Sequence, residues 1–166
     1  MHNSCELPQP KTSVLIMIRY AFYHTPCGII KVGHEDNFIL SIRRCDQIDA
    51  PHDPAPVSDL TNQQLQEYFE GNRHTFDLPL KPVGTAFQLS VWDMLCRIPY
   101  GQVRTYGQIA TMLGNPKCSR AVGMACNRNP LWIAIPCHRV VGANGLTGYA
   151  GGLAMKHALL ELEQHQ

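Results

Sequence analysis

The chain has 166 residues, 45% of them apolar and 16% charged, with a formal net charge of +1. That suits one ordinary domain or two small ones around a packed core, and it argues against disorder. No apolar run reaches the roughly 18–20 residues of a membrane span, and the opening MHNSCELPQPK has neither a basic n-region nor a signal-type cleavage site, so a cytoplasmic, membrane-free protein is expected.

In chain order, VLIMIRYAFY (14–23), GIIKVGH (28–34) and FILSIRR (38–44) are β-branched or aromatic runs separated by the turn-forming pieces HTPCG and EDN. They predict a three-stranded meander. DAPHDPAPVS (49–58) reads as an irregular loop. A helix is then expected from LTNQQLQEYFEG, with Thr61 as N-cap, Gln64 completing a capping box, Leu60 and Leu65 as a hydrophobic staple, and Gly71 ending it. FDLPLKPVG (76–84) looks like a linker.

The second half turns helical. TAFQLSVWDMLCRIP opens with a Thr85–Gln88 capping box, carries Phe87, Val91, Met94, Leu95 and Ile98 as one apolar stripe, and stops at Pro99. TYGQIATMLG repeats the device with Thr105 and Gln108 and closes at Gly114. NPKCSRAVGMACNRN follows at once, with Asn115 as cap and Pro116 at the first helical position. Two short helices joined by a glycine turn predict a helix-turn-helix, although a plain helical hairpin has the same pattern. VVGANGLTGYAGG reads as hairpin-like around Asn144-Gly145, and LAMKHALLELEQ as a last helix. The expected class is α+β, with an αβ domain over residues 1–80 and a helical domain over 84–166.

Seven cysteines at irregular spacing, with no C-x-x-C pair, suggest free thiols in a reducing compartment. Cys5, His24, Cys27 and His34 could be imagined around an ion, but their spacing matches no ligand pattern; no metal and no cofactor are expected. Residues 1–81 carry seven Lys/Arg against ten Asp/Glu, and residues 82–166 seven against three. No acidic residue occurs between Asp93 and Glu161, a span that holds Arg97, Arg104, Lys117, Arg120, Arg128, Arg139 and Lys156. A surface that excludes carboxylates suits a polyanion such as nucleic acid, unless the gap is chance.

IPCHRVV (135–141) sets Cys137 beside His138. A free thiol is only a few per cent ionised at neutral pH, so a nucleophilic cysteine needs a base, and the base needs a carboxylate to orient it. Downstream, only Glu161 and Glu163 can supply one. The alternative is a buried structural cysteine next to a surface histidine.

IPCHRVV, with NRNPLWIA before it and GANGLTGYAGGLAMKHALLELE after it, resembles the active-site signature of the O6-alkylguanine-DNA alkyltransferases. The likeness continues through GTAFQLSVWDMLCRIPYGQVRTYGQIA and GNPKCSRAVGMACNRNP, covering nearly all of residues 84–163. Before residue 80 only TPCGIIKVG and the helix after the prolines are similar. The resemblance implies a ribonuclease H-like N-terminal domain as structural support and a C-terminal winged helix-turn-helix domain with the active site. It implies a monomer that flips O6-alkylguanine, with O4-alkylthymine as an alternative lesion, out of double-stranded DNA from the minor groove. The alkyl group then moves irreversibly onto the protein's own cysteine, once per molecule.

Position by position, the resemblance makes Cys137 the acceptor and His138 its base through a water, with Glu163 holding His138. Tyr106 becomes the proton donor to the guanine ring, and Asn129 the tie between the turns of the site. Arg120 becomes the plug of the vacated stack, beside Ala121, Gly123, Arg128 and Arg139 on the DNA face. Trp132, Tyr149, Ala150 and Gly151 become the substrate pocket. Ala150 stands where many relatives carry serine, and Trp132 where some carry proline, so the substrate range is the part that these residues would alter. Two other readings use the same residues: a non-catalytic lesion-binding protein of this fold, which Cys137 argues against, and a cysteine hydrolase.

Overall fold

In the computed structural model, which describes residues 17–165, the three β-branched runs form an antiparallel meander of β1 (Arg19–Thr25), β2 (Gly28–Glu35) and β3 (Phe38–Cys45) in the order β1-β2-β3. The start of the first predicted strand, residues 14–16, and Cys5 lie outside the described residues. Ala21, Ile30, Val32, Ile39 and Ile42 are fully buried, so the alternation of the strands puts one apolar face on the core.

Helix α1 (Pro56–Phe69) starts five residues before the expected N-cap. Pro56 occupies the first helical position, where its missing N–H costs nothing. Ser58 Oγ accepts from the Ala55 N–H at 2.8 Å. Thr61 therefore lies one turn inside, its Oγ1 donating to the Val57 carbonyl at 2.8 Å. Gln64 makes no capping box; its side chain clips the backbone of Asp77, donating and accepting at 2.9 Å. Leu60 is exposed, so the staple with the buried Leu65 does not form. Gly71 lies just past the end with φ of +77°, as a helix stop requires.

The predicted linker lies along β3: Ile39 N–H donates to Pro79 O, and Lys81 N–H to Ile39 O. Beyond it come α2 (Ala86–Cys96), β4 (Arg104–Thr105), α3 (Tyr106–Met112), α4 (Ser119–Asn127), β5 (Val140–Val141) and α5 (Leu153–Gln164). The capping boxes at Thr85–Gln88 and Thr105–Gln108 are both present. Asn115 caps with its side chain, accepting from the Lys117 N–H, but Pro116–Cys118 form a 3-10 turn and the α-helix begins only at Ser119. Of the expected hairpin only a Gly142–Gly145 bridge forms, with Gly145 at φ of +128°; residues 146–149 run without regular structure.

Two backbone bonds weld the halves together where it matters. Ile42 N–H donates to Pro130 O at 2.9 Å, and Trp132 N–H donates to Ile42 O at 3.0 Å. The segment that runs into Cys137 thus pairs in parallel alongside β3 at Ile42. A single apolar core joins Ile30, Leu65 and Tyr68 of the first half to Trp92, Ile109 and Val122 of the second.

Candidate active site

The path to Cys137 is fixed by one side chain. Asn129 Oδ1 accepts from the Leu131 N–H at 2.9 Å, while Nδ2 donates to Ile135 O at 2.8 Å and to Cys137 Sγ at 3.2 Å. The tight turn that Asn129 braces holds Ile133 at φ of +71°, a conformation that a β-branched residue adopts only when its surroundings enforce it. Cys137, His138 and Arg139 then make up one 3-10 turn. Such a turn spreads three consecutive side chains around an axis instead of alternating them. All three are buried.

His138 is sealed inside, with Nε2 at 2.7 Å from Glu163 Oε1. The carboxylate can only accept, so Nε2 carries the hydrogen and Nδ1 keeps the lone pair. Nδ1 has no partner among the described residues. Glu163 gathers donors from three further residues. Tyr68 of α1 donates to Oε1 at 2.7 Å, and the Gly101 N–H to Oε2 at 3.1 Å. Arg139 donates through Nε to Oε2 at 2.9 Å and through Nη2 to Oε1 at 3.0 Å. Burial alone would raise the Glu163 pKa, but the bonds from His138, Arg139 and Tyr68 outweigh it and hold the carboxyl well below its ordinary range. Burial holds the His138 pKa below its ordinary value, with Glu163 pulling the other way.

Arg139 is therefore not on the DNA face. Its side chain is 7% exposed, and Nη1 is spent on Ile98 O at 2.7 Å. Three of its five N–H groups are held by Glu163 and Ile98, and the guanidinium is too deeply buried to meet a phosphate. Lys156 is likewise internal, its ammonium donating to the carbonyls of Val140, Thr147 and Gly148. Two of the seven cations in the carboxylate-free span thus hold the site together.

Cys137 lines a cavity of about 390 Å³, a volume in the range of small-ligand sites. Its walls are Gly123, Met124, Cys126 and Asn127 of α4, Tyr106 of α3, and Thr147–Tyr149. Burial pushes the Cys137 thiol up to about 11, against the pull of the Asn129 amide and the Lys156 ammonium. At neutral pH such a thiol is ionised to about one part in 10⁴, so attack needs proton removal in step. Burial also lifts the Tyr106 phenol to about 12, so it stays a donor; its hydroxyl now donates to Thr147 O at 3.0 Å.

Among the expected pocket residues, Tyr149 lines this cavity, whereas Trp132, Ala150 and Gly151 lie on a separate shallow depression with Arg44 and Asp46. Trp132 is 7% exposed and packs its ring on Tyr149 at 5.9 Å, so it backs the pocket wall without lining the cavity. Arg120 and Ala121 are exposed on α4, Arg128 is exposed at its C-cap, and Gly123 is half-buried. Met124, which sequence reasoning passed over, is 63% exposed one turn after Arg120 and belongs to the cavity wall. Tyr68, Gly101 and Lys156 were also missed. Nothing local marks Tyr68, whose partner is 95 residues away.

Both halves of the chain match known proteins. Residues 18–82 match the 6-O-methylguanine DNA methyltransferase ribonuclease-like domain, and residues 86–165 match the DNA binding domain of the same family. A methylated-DNA–protein-cysteine methyltransferase of Methanosarcina acetivorans is 48% identical over 151 residues, 87% of this chain and 97% of that protein. The constitutive methylated-DNA–protein-cysteine methyltransferase of Bacillus subtilis is 45% identical over 156 residues, 87% of this chain and 94% of that one. The crystal structure of Mycobacterium tuberculosis OGT in complex with DNA superposes with a TM-score of 0.80 at 41% identity, covering 87% of this chain and 92% of that one. With both halves matched in order and a relative 48% identical across most of both chains, the chain belongs to the 6-O-methylguanine DNA methyltransferase family.

Proposed function

We propose that this chain repairs DNA by direct reversal, moving the alkyl group of O6-alkylguanine in duplex DNA onto Cys137 Sγ, once per molecule. The observation that carries the reading is the place of Cys137: in the wall of a cavity bounded by α4, with the His138–Glu163 pair buried beside it. His138 Nδ1 takes the thiol proton through one water. The sulfur attacks the alkyl carbon, the C–O bond breaks, and the electron pair stays on the guanine. Tyr106 donates to the ring nitrogen as that charge develops, so that a neutral base leaves. Asn129 holds the sulfur in line through its 3.2 Å bond.

Guanine O6 is stacked inside a duplex and cannot reach a thiol in a closed cavity, so the nucleotide must be extruded, at a cost of about a few kcal/mol. Helix α4 approaches from the minor groove, where a damage scanner avoids reading sequence. Arg120 fills the gap left in the stack, Ala121 and Gly123 let the backbone come close, and Arg128 contacts phosphate. The protein acts as a cytoplasmic monomer, and residues 1–80 brace the catalytic half through β3. Among the described residues no helix is long and apolar enough to cross a membrane.

The test is intact-protein mass spectrometry after incubation with O6-methylguanine duplex. One added methyl per chain, located on Cys137, is expected; repeated turnover would instead indicate a hydrolase. The role of Arg120 has its own readout. Arg120→Ala should slow repair in duplex by about 10-fold or more, yet leave attack on free O6-benzylguanine within about 2-fold. Equal losses in both assays would remove Arg120 from the extrusion step.

A further inference from the structure

We propose that Tyr68, contributed by the N-terminal domain, is a positioning residue for the alkyl transfer: its hydroxyl takes up part of the accepting capacity of Glu163 Oε1 and so keeps the His138 imidazole neutral, ready to receive the Cys137 proton. This deepens the relay reading above and rests on it. Tyr68 is fully buried and donates to Oε1 at 2.7 Å, the same length as the His138 bond to that oxygen. The hydroxyl is 3.4 Å from His138 Nε2, too long to compete with the carboxylate bond.

The reasoning is electrostatic. A lone carboxylate against an imidazole, away from water, favours the imidazolium, and an imidazolium has no lone pair at Nδ1 with which to take a proton. Each further donor to the carboxylate spreads its charge and weakens that pull. The charged and titratable groups facing this pair are Arg139, Lys156, Tyr68, Tyr100 and Cys137. The two cations oppose imidazolium formation. Burial and the neighbouring Glu163 hold the Tyr68 phenol far above its ordinary value, so it is a permanent donor acting in the same direction as the cations. A phenylalanine would fill the same space among Phe69, Phe76 and Tyr100 without a hydroxyl to satisfy. The hydroxyl at this place therefore calls for a reason beyond packing.

The experiment compares the full-length protein with Tyr68→Phe and Glu163→Gln. It measures single-turnover transfer from free O6-benzylguanine between pH 5.5 and 9, together with the ring 15N shifts of His138. Removing the hydroxyl makes Oε1 more basic and raises the His138 pKa, so the acid limb of the rate profile moves to higher pH. Tyr68→Phe should lose about 3–10-fold at pH 6 and stay within about 2-fold at pH 8.5, with the His138 titration displaced in step. A uniform loss at every pH, with the His138 titration unmoved, would reduce Tyr68 to packing and overturn the proposal. Glu163→Gln tells the two readings apart. If it transfers with wild-type rate and profile, the relay itself falls, and the role of Tyr68 falls with it. If it is impaired while Tyr68→Phe is unshifted, only the role of Tyr68 falls.

Discussion

Cys137→Ala should reduce alkyl transfer to less than about one part in 10³ while leaving affinity for lesion-bearing duplex within about 2-fold. The size of the loss follows from what else the cavity holds. Among the described residues Cys126 is the only other thiol in its wall, and no base is bonded to it; burial, then the neighbouring Cys137, lifts it to about 12. Tyr106 and Tyr149 are raised as well, so their oxygens are poor nucleophiles. Binding should survive because the exposed groups Arg120 of α4 and Arg128 at its C-cap lie outside the cavity wall. Intact mass and gel-shift affinity on the same duplex check both halves. A methyl group found on Cys126 in the variant, at a rate near that of the wild type, would show that the cavity and not the particular sulfur selects the acceptor.

Glu163→Gln should cost more than activity. It leaves the Arg139 guanidinium buried without a counter-charge, a change typically worth about 3–5 kcal/mol. For a protein of this size that lowers the melting temperature by about 6–20 °C. Transfer should fall by about 10²–10³-fold, because the amide cannot stabilise an imidazolium as a carboxylate does. The stability loss should also depend on pH. The folded carboxyl sits below its unfolded value of about 4.3, so its contribution is fully present above about pH 5 and is lost as pH falls through the folded value. His138 adds a separate acid-side loss below about pH 6.5, where only the unfolded chain takes up its proton. The gap between wild type and variant in urea midpoint should therefore narrow toward pH 3. A gap constant from pH 7 to pH 3 would mean that the ion pair is not what Glu163 contributes.

Local chemistry was legible in the sequence, whereas convergence from distant segments was not. Thr85–Gln88 and Thr105–Gln108 are capping boxes in the sequence and in the fold because a capping box is closed within four residues. The same signal misled at Thr61–Gln64: the chain already had a start at Pro56, and Gln64 found a stronger use in the backbone of Asp77. Resemblance supplied the set of Cys137, His138, Asn129 and Glu163, and the structure brings these side chains together. Arg139 was read as a surface cation because charge in a carboxylate-free span carries no sign of depth. Its burial follows from α5 returning Glu163 beneath the 3-10 turn. Resemblance placed Trp132 in the substrate pocket, but the backbone bond to Ile42 sets its ring behind Tyr149. Tyr68 had no mark at all, since its partners come from the far end of the chain.

The single 3-10 turn that carries Cys137, His138 and Arg139 restricts how this polypeptide can change length. One residue gained or lost there would swing the sulfur, the imidazole and the guanidinium together, away from Asn129 and Glu163. Downstream, Lys156 and Tyr106 grip the carbonyls at Thr147 and Gly148, while Ala143–Leu146 stay exposed and ungripped by either. Insertions and deletions among natural variants of this chain should therefore gather in those four positions, where extra backbone can bulge into water without disturbing the chemistry.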